Sequence, residues 1–131
     1  MESKLQHLEF IQTVIERLSR NSFLLKGWGV TLMSALFALA AKDSNKQYIL
    51  LAYFPIITFW LLNGYFLSQE RRFRALYDEV RLLPLDKIDF SMDTKKFNDG
   101  RNRWEQAFFS RVLLIFYLTL AIAVLIVWYV I

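Results

Sequence analysis

The stretch FLLKGWGVTLMSALFALAA, residues Phe23–Ala41, decides the fold of this 131-residue chain. A helix rises about 1.5 Å per residue, so about 20 apolar residues cross the roughly 30 Å hydrocarbon core of a bilayer. The stretch has that length, but it ends in Ala38-Leu39-Ala40, which also matches a signal-peptidase site. Three interpretations are therefore open: a cleaved leader, a buried helix of a soluble protein, or a permanent membrane span.

The residues that precede this stretch argue against a cleaved leader. A leader begins with a short basic segment and has an apolar run of about 7–15 residues. Here a longer segment comes first, and it contains Glu2, Glu9 and Glu16. Lys26 lies within the first turn of the apolar run, where its amine can extend to the lipid headgroups. We therefore interpret Phe23–Ala41 as a permanent span.

Small residues lie at helical spacing along this span. Thr31, Ala35 and Ala38 form one stripe, to which Ser34 also belongs. Small side chains allow the backbones of two helices to approach closely in lipid. The stripe predicts a surface for close helix packing.

The apolar residues of the whole chain are concentrated in three blocks. The sequence is 56% hydrophobic, above the 45–50% that is usual for a soluble domain, and the blocks are Phe23–Ala41, Tyr48–Leu67 and Val112–Ile131. A soluble fold would have too few other residues to cover them. We predict an all-α integral membrane protein with three transmembrane helices, an N-terminal amphipathic helix, and a second helix that extends into the cytoplasm.

Residues 1–22 have the pattern of an amphipathic helix, with Asn21-Ser22 as a cap before the first span. Its apolar residues recur at helical spacing: Leu8, Ile11, Ile15 and Leu18. Such a helix can lie flat on the membrane or pack against another protein helix. Its three glutamates favour packing against protein, because helices on anionic lipid are usually rich in Lys and Arg.

The second block leads into a longer helix. A polar turn, Lys42–Gln47, precedes the span 48–67, in which Pro55 predicts a kink. A helical stripe of apolar residues continues beyond the span to about residue 83, and Pro84 ends it. Residues 84–110 are predicted to form a loop and the start of the last helix, which begins near Arg101 and crosses the membrane as residues 111–131.

The basic residues predict the orientation of the chain. Ten lysines and arginines lie between residues 68 and 111, four lie at or before Lys26, and none follows Arg111. Loops rich in Lys and Arg stay in the cytoplasm. We predict a multi-pass protein of the bacterial inner membrane with a cytoplasmic N-terminus and an external C-terminus.

The sequence offers little for catalysis. It has no cysteine and one histidine, His7, which excludes thiol chemistry and zinc sites of the usual Cys/His type. We interpret His7 as a surface residue, and Asp86, Asp89 and Asp93 as part of a solvated loop. We expect no enzyme activity, no cofactor, no metal and no direct contact with nucleic acid.

Three polar residues in the spans are candidates for a pore lining or a helix interface: Thr31, Thr58 and Asn63. An amide in hydrocarbon needs a partner, so Asn63 either bonds across a helix interface or lines a wet pathway. No span contains a carboxylate, so a selective cation filter and proton coupling are not indicated.

The extension of the second helix carries candidates for coupling to a trigger or a partner: Arg71, Arg72, Phe73, Arg74 and Leu76. The arginines suit a phosphate, a lipid headgroup or a nucleotide, but they also suit the basic charge that any span has at its inner end.

The runs NSFLLKGWGVTLMSALFALAA and FLSQERRFRALYDEVR carry a resemblance that covers Leu5 to Arg81. With the short turn and the Pro-containing span between them, they resemble small bacterial transmembrane effectors of anti-phage defence, encoded beside retrons and nucleotide-signalling systems. Those effectors are often described with two or four spans, whereas this chain has three predicted spans.

The resemblance implies an effector that is held inactive until infection and then permeabilises or depolarises the inner membrane. We expect the partners to be membrane lipid, further copies of the chain and a cytoplasmic protein. A different class of function stays open: a non-toxic anchor or scaffold that recruits a soluble partner through residues 1–20 and 68–110.

Overall fold

The computed structural model describes residues 2–43 and 47–130, and its regular structure is all helical, with no strand in those ranges. The described residues form five α-helices: α1 (Glu2–Asp43), α2 (Gln47–Leu51), α3 (Tyr53–Val80), α4 (Trp104–Phe108) and α5 (Arg111–Val130). Three of the helical stretches, α1, α2 with α3, and α5, are long and apolar enough to cross a membrane. The predictions of an all-α fold and of three potential spans are therefore confirmed.

Helix α1 runs without a break from the amphipathic segment into the first apolar block, so the predicted cap at Asn21-Ser22 is wrong. Asn and Ser each cost less than about 0.7 kcal/mol relative to alanine inside a helix. A break would instead leave up to four C=O groups unpaired at the new C-terminal end and up to four N–H groups unpaired at the new N-terminal end. Packing against α3 along both halves of α1 keeps the 42-residue helix continuous.

The helical hydrogen bonding of the second apolar block is interrupted at Ala52, close to Pro55, where the sequence predicts a kink. Pro55 has no N–H to donate to the carbonyl of Leu51, the last residue of α2. The chain forms a tight turn at Ala52, whose N–H donates to the Ile49 carbonyl at 3.0 Å, and α3 then continues to Val80. Of the predicted turn Lys42–Gln47, residues 44–46 lie outside the described residues, while Lys42 belongs to α1 and Gln47 begins α2.

The predicted single helix from Arg101 to the C-terminus is wrong, because the chain breaks between α4 and α5 at Phe109–Ser110. Ser110 caps α5: its Oγ accepts a hydrogen bond from the Leu113 N–H at 3.4 Å. The Trp60 indole Nε1–H donates to the Phe108 carbonyl at 2.8 Å, which satisfies the C-terminal end of α4. The loop between α3 and α4 contains three short 3₁₀ turns: Leu85–Lys87, Lys95–Phe97 and Gly100–Asn102.

Two apolar clusters hold the helices together. The larger one joins α1, α2, α3 and α5 around Tyr117, which is fully buried. The smaller one packs Ile11 and Ile15 of α1 against Leu76 and Val80 of α3. The amphipathic segment therefore packs against protein, and its partner is the extension of α3 in the same chain. We call residues 2–22, 68–80 and 81–110 together the polar half.

Candidate functional site

A cavity of about 710 Å³ lies where α1, α3 and the start of α5 meet. Its walls combine cations, small polar groups and apolar side chains: Ser19, Ser22, Phe23, Lys26, Leu67, Glu70, Arg71, Arg101, Gln106, Phe109, Ser110, Arg111, Val112 and Leu113. We call this space the basic cavity.

The basic cavity lies at the boundary between the apolar spans and the polar half. Phe23 and Val112 begin the first and third apolar blocks of the sequence, and Leu67 ends the second. All three residues line the cavity. Three of the boundaries between polar and apolar sequence, one from each block, are thus brought together around one space.

Positive charge dominates the walls. Lys26, Arg101 and Arg111 form no ion pair within the described ranges, and the ammonium of Lys26 lies 5.9 Å from the centre of the Phe116 ring. Arg71 donates from Nη1 to the Arg101 carbonyl at 2.6 Å. Glu70 is the one carboxylate among the lining residues, and Arg74 already binds it at 2.8 Å.

The environment of Arg71 reflects this excess of cations. Burial lowers the pKa of its guanidinium, and the nearby positive charge of Arg101 lowers it further, whereas Glu70 acts in the opposite direction. An anion in the cavity would therefore meet a group of cations that the protein itself leaves largely uncompensated.

The five predicted coupling residues of α3 have different roles in the structure. Arg71 lines the basic cavity, Arg72 donates to the Thr94 carbonyl at 3.2 Å, and Arg74 pairs with Glu70 on the surface. Leu76 is buried in the smaller apolar cluster, and Phe73 is partly buried against it. Arg72, Phe73 and Leu76 thus make contacts within the polar half itself.

Asn63 is fully buried between α3 and α5, where its Nδ2 donates to the Tyr117 hydroxyl. Its Oδ1 has no hydrogen-bond partner, and a flipped amide would only exchange which atom is left over. The Tyr117 ring also stacks on Trp60, with ring centroids 5.7 Å apart. In this conformation Asn63 joins two helices of one chain.

The two predicted threonine sites do not meet Asn63. Thr31 is exposed, and its hydroxyl donates to the Gly27 carbonyl of its own helix at 2.9 Å. Thr58 is half-buried on α3. The small residues next to Thr31, which are Ser34, Ala35 and Ala38, are exposed as well. We call these four residues of α1 the small-residue stripe, and it lies open on the outside of the chain.

His7 is not the surface residue that the sequence predicts, because its side chain is fully buried. Its Nε2–H donates to the Ser91 carbonyl at 2.8 Å, and Nδ1 has no partner. The ring lies 5.5 Å from that of Phe90, whose φ of 56° is unusual for a residue other than glycine. The sequence did indicate this burial, because His7 precedes the buried Ile11 by four residues and so lies on the same face of α1.

The loop aspartates stabilise local turns. Asp89 accepts a hydrogen bond from the Ser91 N–H at 3.0 Å, and Asp93 accepts one from the Lys95 N–H at 2.9 Å. Within residues 2–43 and 47–130, no three His, Cys, Asp or Glu side chains come close enough to hold a metal ion.

Comparison with protein families, with characterised proteins and with solved structures finds no match. The resemblance to anti-phage effectors therefore stays a hypothesis, and the chain's own geometry has to support any function.

The sequence singled out Arg71, but the meeting of the cations in one cavity was missed because they are far apart along the chain. Lys26, Arg71 and Arg111 are separated by about 40 residues from one to the next. What the sequence does show is that each of these three cations lies within four residues of one end of an apolar block.

Proposed function

We propose that the chain is a subunit of a homo-oligomer in the bacterial inner membrane that permeabilises or depolarises this membrane during anti-phage defence. The observation that carries the proposal is the exposure of the small-residue stripe, Thr31, Ser34, Ala35 and Ala38. In lipid, a stripe of this kind allows a second helix to approach closely. A second copy of α1 suits it well.

The proposed orientation follows from the basic residues. The polar half contains most of the lysines and arginines, so it lies in the cytoplasm, with the N-terminus there and the C-terminus outside. A cytoplasmic partner would then reach the polar half, and the polar half would pass the signal to the spans.

The lining of an opening would come from α1. Asn63 is occupied by Tyr117 inside the chain, so it is not available between neighbouring copies. Thr31 and Ser34 are exposed on α1, and their hydroxyls would offer water a polar path once the copies separate slightly.

A scaffold that recruits a soluble protein is the second candidate. Phe10 and Phe90 are exposed on the polar half, with ring centroids 6.1 Å apart, and they offer an apolar patch to a cytoplasmic partner. This patch suits an anchor, and it suits equally the trigger of an effector.

Single-cysteine cross-linking tests the oligomer. The chain has no cysteine, so Ala35→Cys creates one defined thiol on the small-residue stripe. Mild oxidation of native membranes should give a cross-linked dimer of Ala35→Cys. Leu118→Cys, on an exposed face of α5, is the matched control and should stay monomeric. A monomeric Ala35→Cys protein, or equal cross-linking at both positions, would contradict the proposed packing.

Membrane potential tests the function. Bacteria that express the chain should lose the signal of a voltage-sensitive dye and stop growing, either with the chain alone or after phage infection in the presence of its neighbouring genes. Ala35→Phe at equal membrane abundance should abolish the loss of potential, because the larger side chain keeps neighbouring α1 helices apart. Leu118→Phe should behave like the unchanged chain. A stable potential under both conditions, together with cross-linking at Ala35→Cys, would favour the scaffold.

A further inference from the structure

We infer that the basic cavity binds the phosphate of an anionic phospholipid, with one acyl chain of that lipid lying along α5. This inference goes beyond the proposed function, because it depends on insertion into a membrane but not on permeabilisation.

The positive charge of the basic cavity suits a phosphate group. Lys26, Arg71, Arg101 and Arg111 contribute four cations, against the single carboxylate of Glu70, which Arg74 already binds. Guanidinium groups donate two parallel hydrogen bonds to phosphate oxygens. The same cavity contains Ser110 and Arg111, where the 20-residue helix α5 begins, and the partial positive charge of a helix N-terminus adds to that of the side chains.

A second space beside the basic cavity can hold an acyl chain. An apolar groove of about 410 Å³ lies along α5 and is lined by Val112, Ile115, Phe116, Thr119 and Leu120. Val112 lines both the groove and the basic cavity, so the two spaces adjoin. A ligand with an anionic head and an apolar tail therefore has a place for each part.

The position of the cavity favours a lipid over a soluble phosphate compound. Phe23 and Phe109 are 74% and 61% exposed at its walls, and Val112 is 63% exposed. Apolar side chains exposed in this way would be unfavourable in water. They are favourable at the depth of the membrane where headgroups meet acyl chains. Basic pockets between spans on the cytoplasmic side suit anionic headgroups in this way.

The test measures lipid retention by the full chain in detergent, using native mass spectrometry during titration with dioleoylphosphatidylglycerol. Each basic residue near the headgroup should contribute about fivefold to the affinity. The pair Lys26→Gln with Arg111→Gln should therefore weaken binding about 25-fold. The control pair Arg81→Gln with Lys87→Gln removes the same charge from exposed positions outside the cavity and should change binding less than twofold.

A second variant addresses the groove without any change in charge. Ile115 is exposed, so Ile115→Trp should fold, fill the groove and weaken retention of the lipid at least tenfold. If circular dichroism shows that the double charge variant has lost helical content, Ile115→Trp tests the inference in its place. Dioleoylphosphatidylcholine, whose cationic choline meets the same cations, should bind more weakly than phosphatidylglycerol.

Four results would overturn the inference. Equal weakening by both charge pairs would indicate a diffuse electrostatic effect, and equal retention of the two lipids would show no selection for negative charge. Inorganic phosphate binding as tightly as phosphatidylglycerol would make the ligand a soluble anion. Failure to retain any phosphatidylglycerol would leave the cavity without the proposed occupant.

Discussion

Leu76→Asp should detach the N-terminal part of α1 from α3. Leu76 is 4% exposed and packs with Ile11, Ile15 and Val80 in the smaller apolar cluster. Aspartate would lose the apolar burial and would place an unpaired carboxylate among aliphatic side chains. Substitutions of this kind destabilise the packed state by about 4 kcal/mol or more, which is enough to separate the N-terminal part of α1 from α3.

Trypsin digestion of the protein in detergent measures this change. Arg17 and Arg20 lie on α1 within the polar half, and cleavage there should become at least about a hundredfold faster, since each 1.36 kcal/mol is a factor of ten. Leu82→Asp is the matched control: the same change is made at a leucine that is 78% exposed, and the cleavage rate should stay within about twofold. Unchanged cleavage in Leu76→Asp would mean that the cluster does not hold α1 in place.

This prediction also changes how partner docking should be tested. At the sequence level, Phe73→Asp and Leu76→Asp are natural variants to release a bound protein. Both side chains belong to the smaller apolar cluster, so either change would disturb the polar half itself. The exposed Phe10 is the better position for a docking variant, because it can be changed without opening the cluster.

Gly64→Leu should drive α4 away from α3. A Cβ atom on Gly64 would lie 3.1 Å from the Cα of Phe108 and 3.3 Å from the Trp104 indole nitrogen, and the rest of a leucine has no space. Two indole hydrogen bonds fasten α4 here, from Trp60 to the Phe108 carbonyl and from Trp104 to the Leu61 carbonyl at 3.2 Å. Overpacking costs about 1–3 kcal/mol, and separation of the helices would add the loss of both bonds.

Hydrogen exchange of residues 104–109 measures the docking of α4. Leucine favours a helix over glycine by about 1 kcal/mol, which partly offsets the clash, so we expect a net loss of about 2 kcal/mol and exchange about 30-fold faster. Gly27→Leu is the matched control, because no atom lies within 4 Å of a Cβ at that position. It should leave exchange in α4 unchanged. Slow exchange in Gly64→Leu would show that α4 tolerates the added bulk.

The sequence predicted those parts of the fold that depend on local patterns. The lengths of the apolar blocks gave three helices that can span a membrane, and the apolar stripe beyond Leu67 gave the extension of α3. Pro55 marked the interruption between α2 and α3. Each of these features follows from residues that are neighbours along the chain.

The features that were missed depend on distant residues. The break after Phe108 is stabilised by Trp60, 48 positions earlier, and Asn63 finds its partner in Tyr117, 54 positions later. Asn21-Ser22 has the composition of a cap, but α1 packs against α3 on both sides of it, and the helix continues. The basic cavity exists only because three separate ends of apolar blocks meet, which no periodicity in one block reveals.

The continuity of α1 has a mechanical consequence. A helix of 42 residues is a stiff rod about 63 Å long, and its two ends are set in different surroundings. Near one end, Lys4 donates to the Leu83 carbonyl and His7 donates to the Ser91 carbonyl. These two hydrogen bonds fix that end of α1 to residues 83–91. The other end carries the small-residue stripe. If α1 tilted by about 5° about its N-terminal end, its C-terminal end would move by about 5 Å, roughly half the distance between the axes of packed helices. A partner that moves residues 83–91 would therefore also displace the small-residue stripe at the other end of α1.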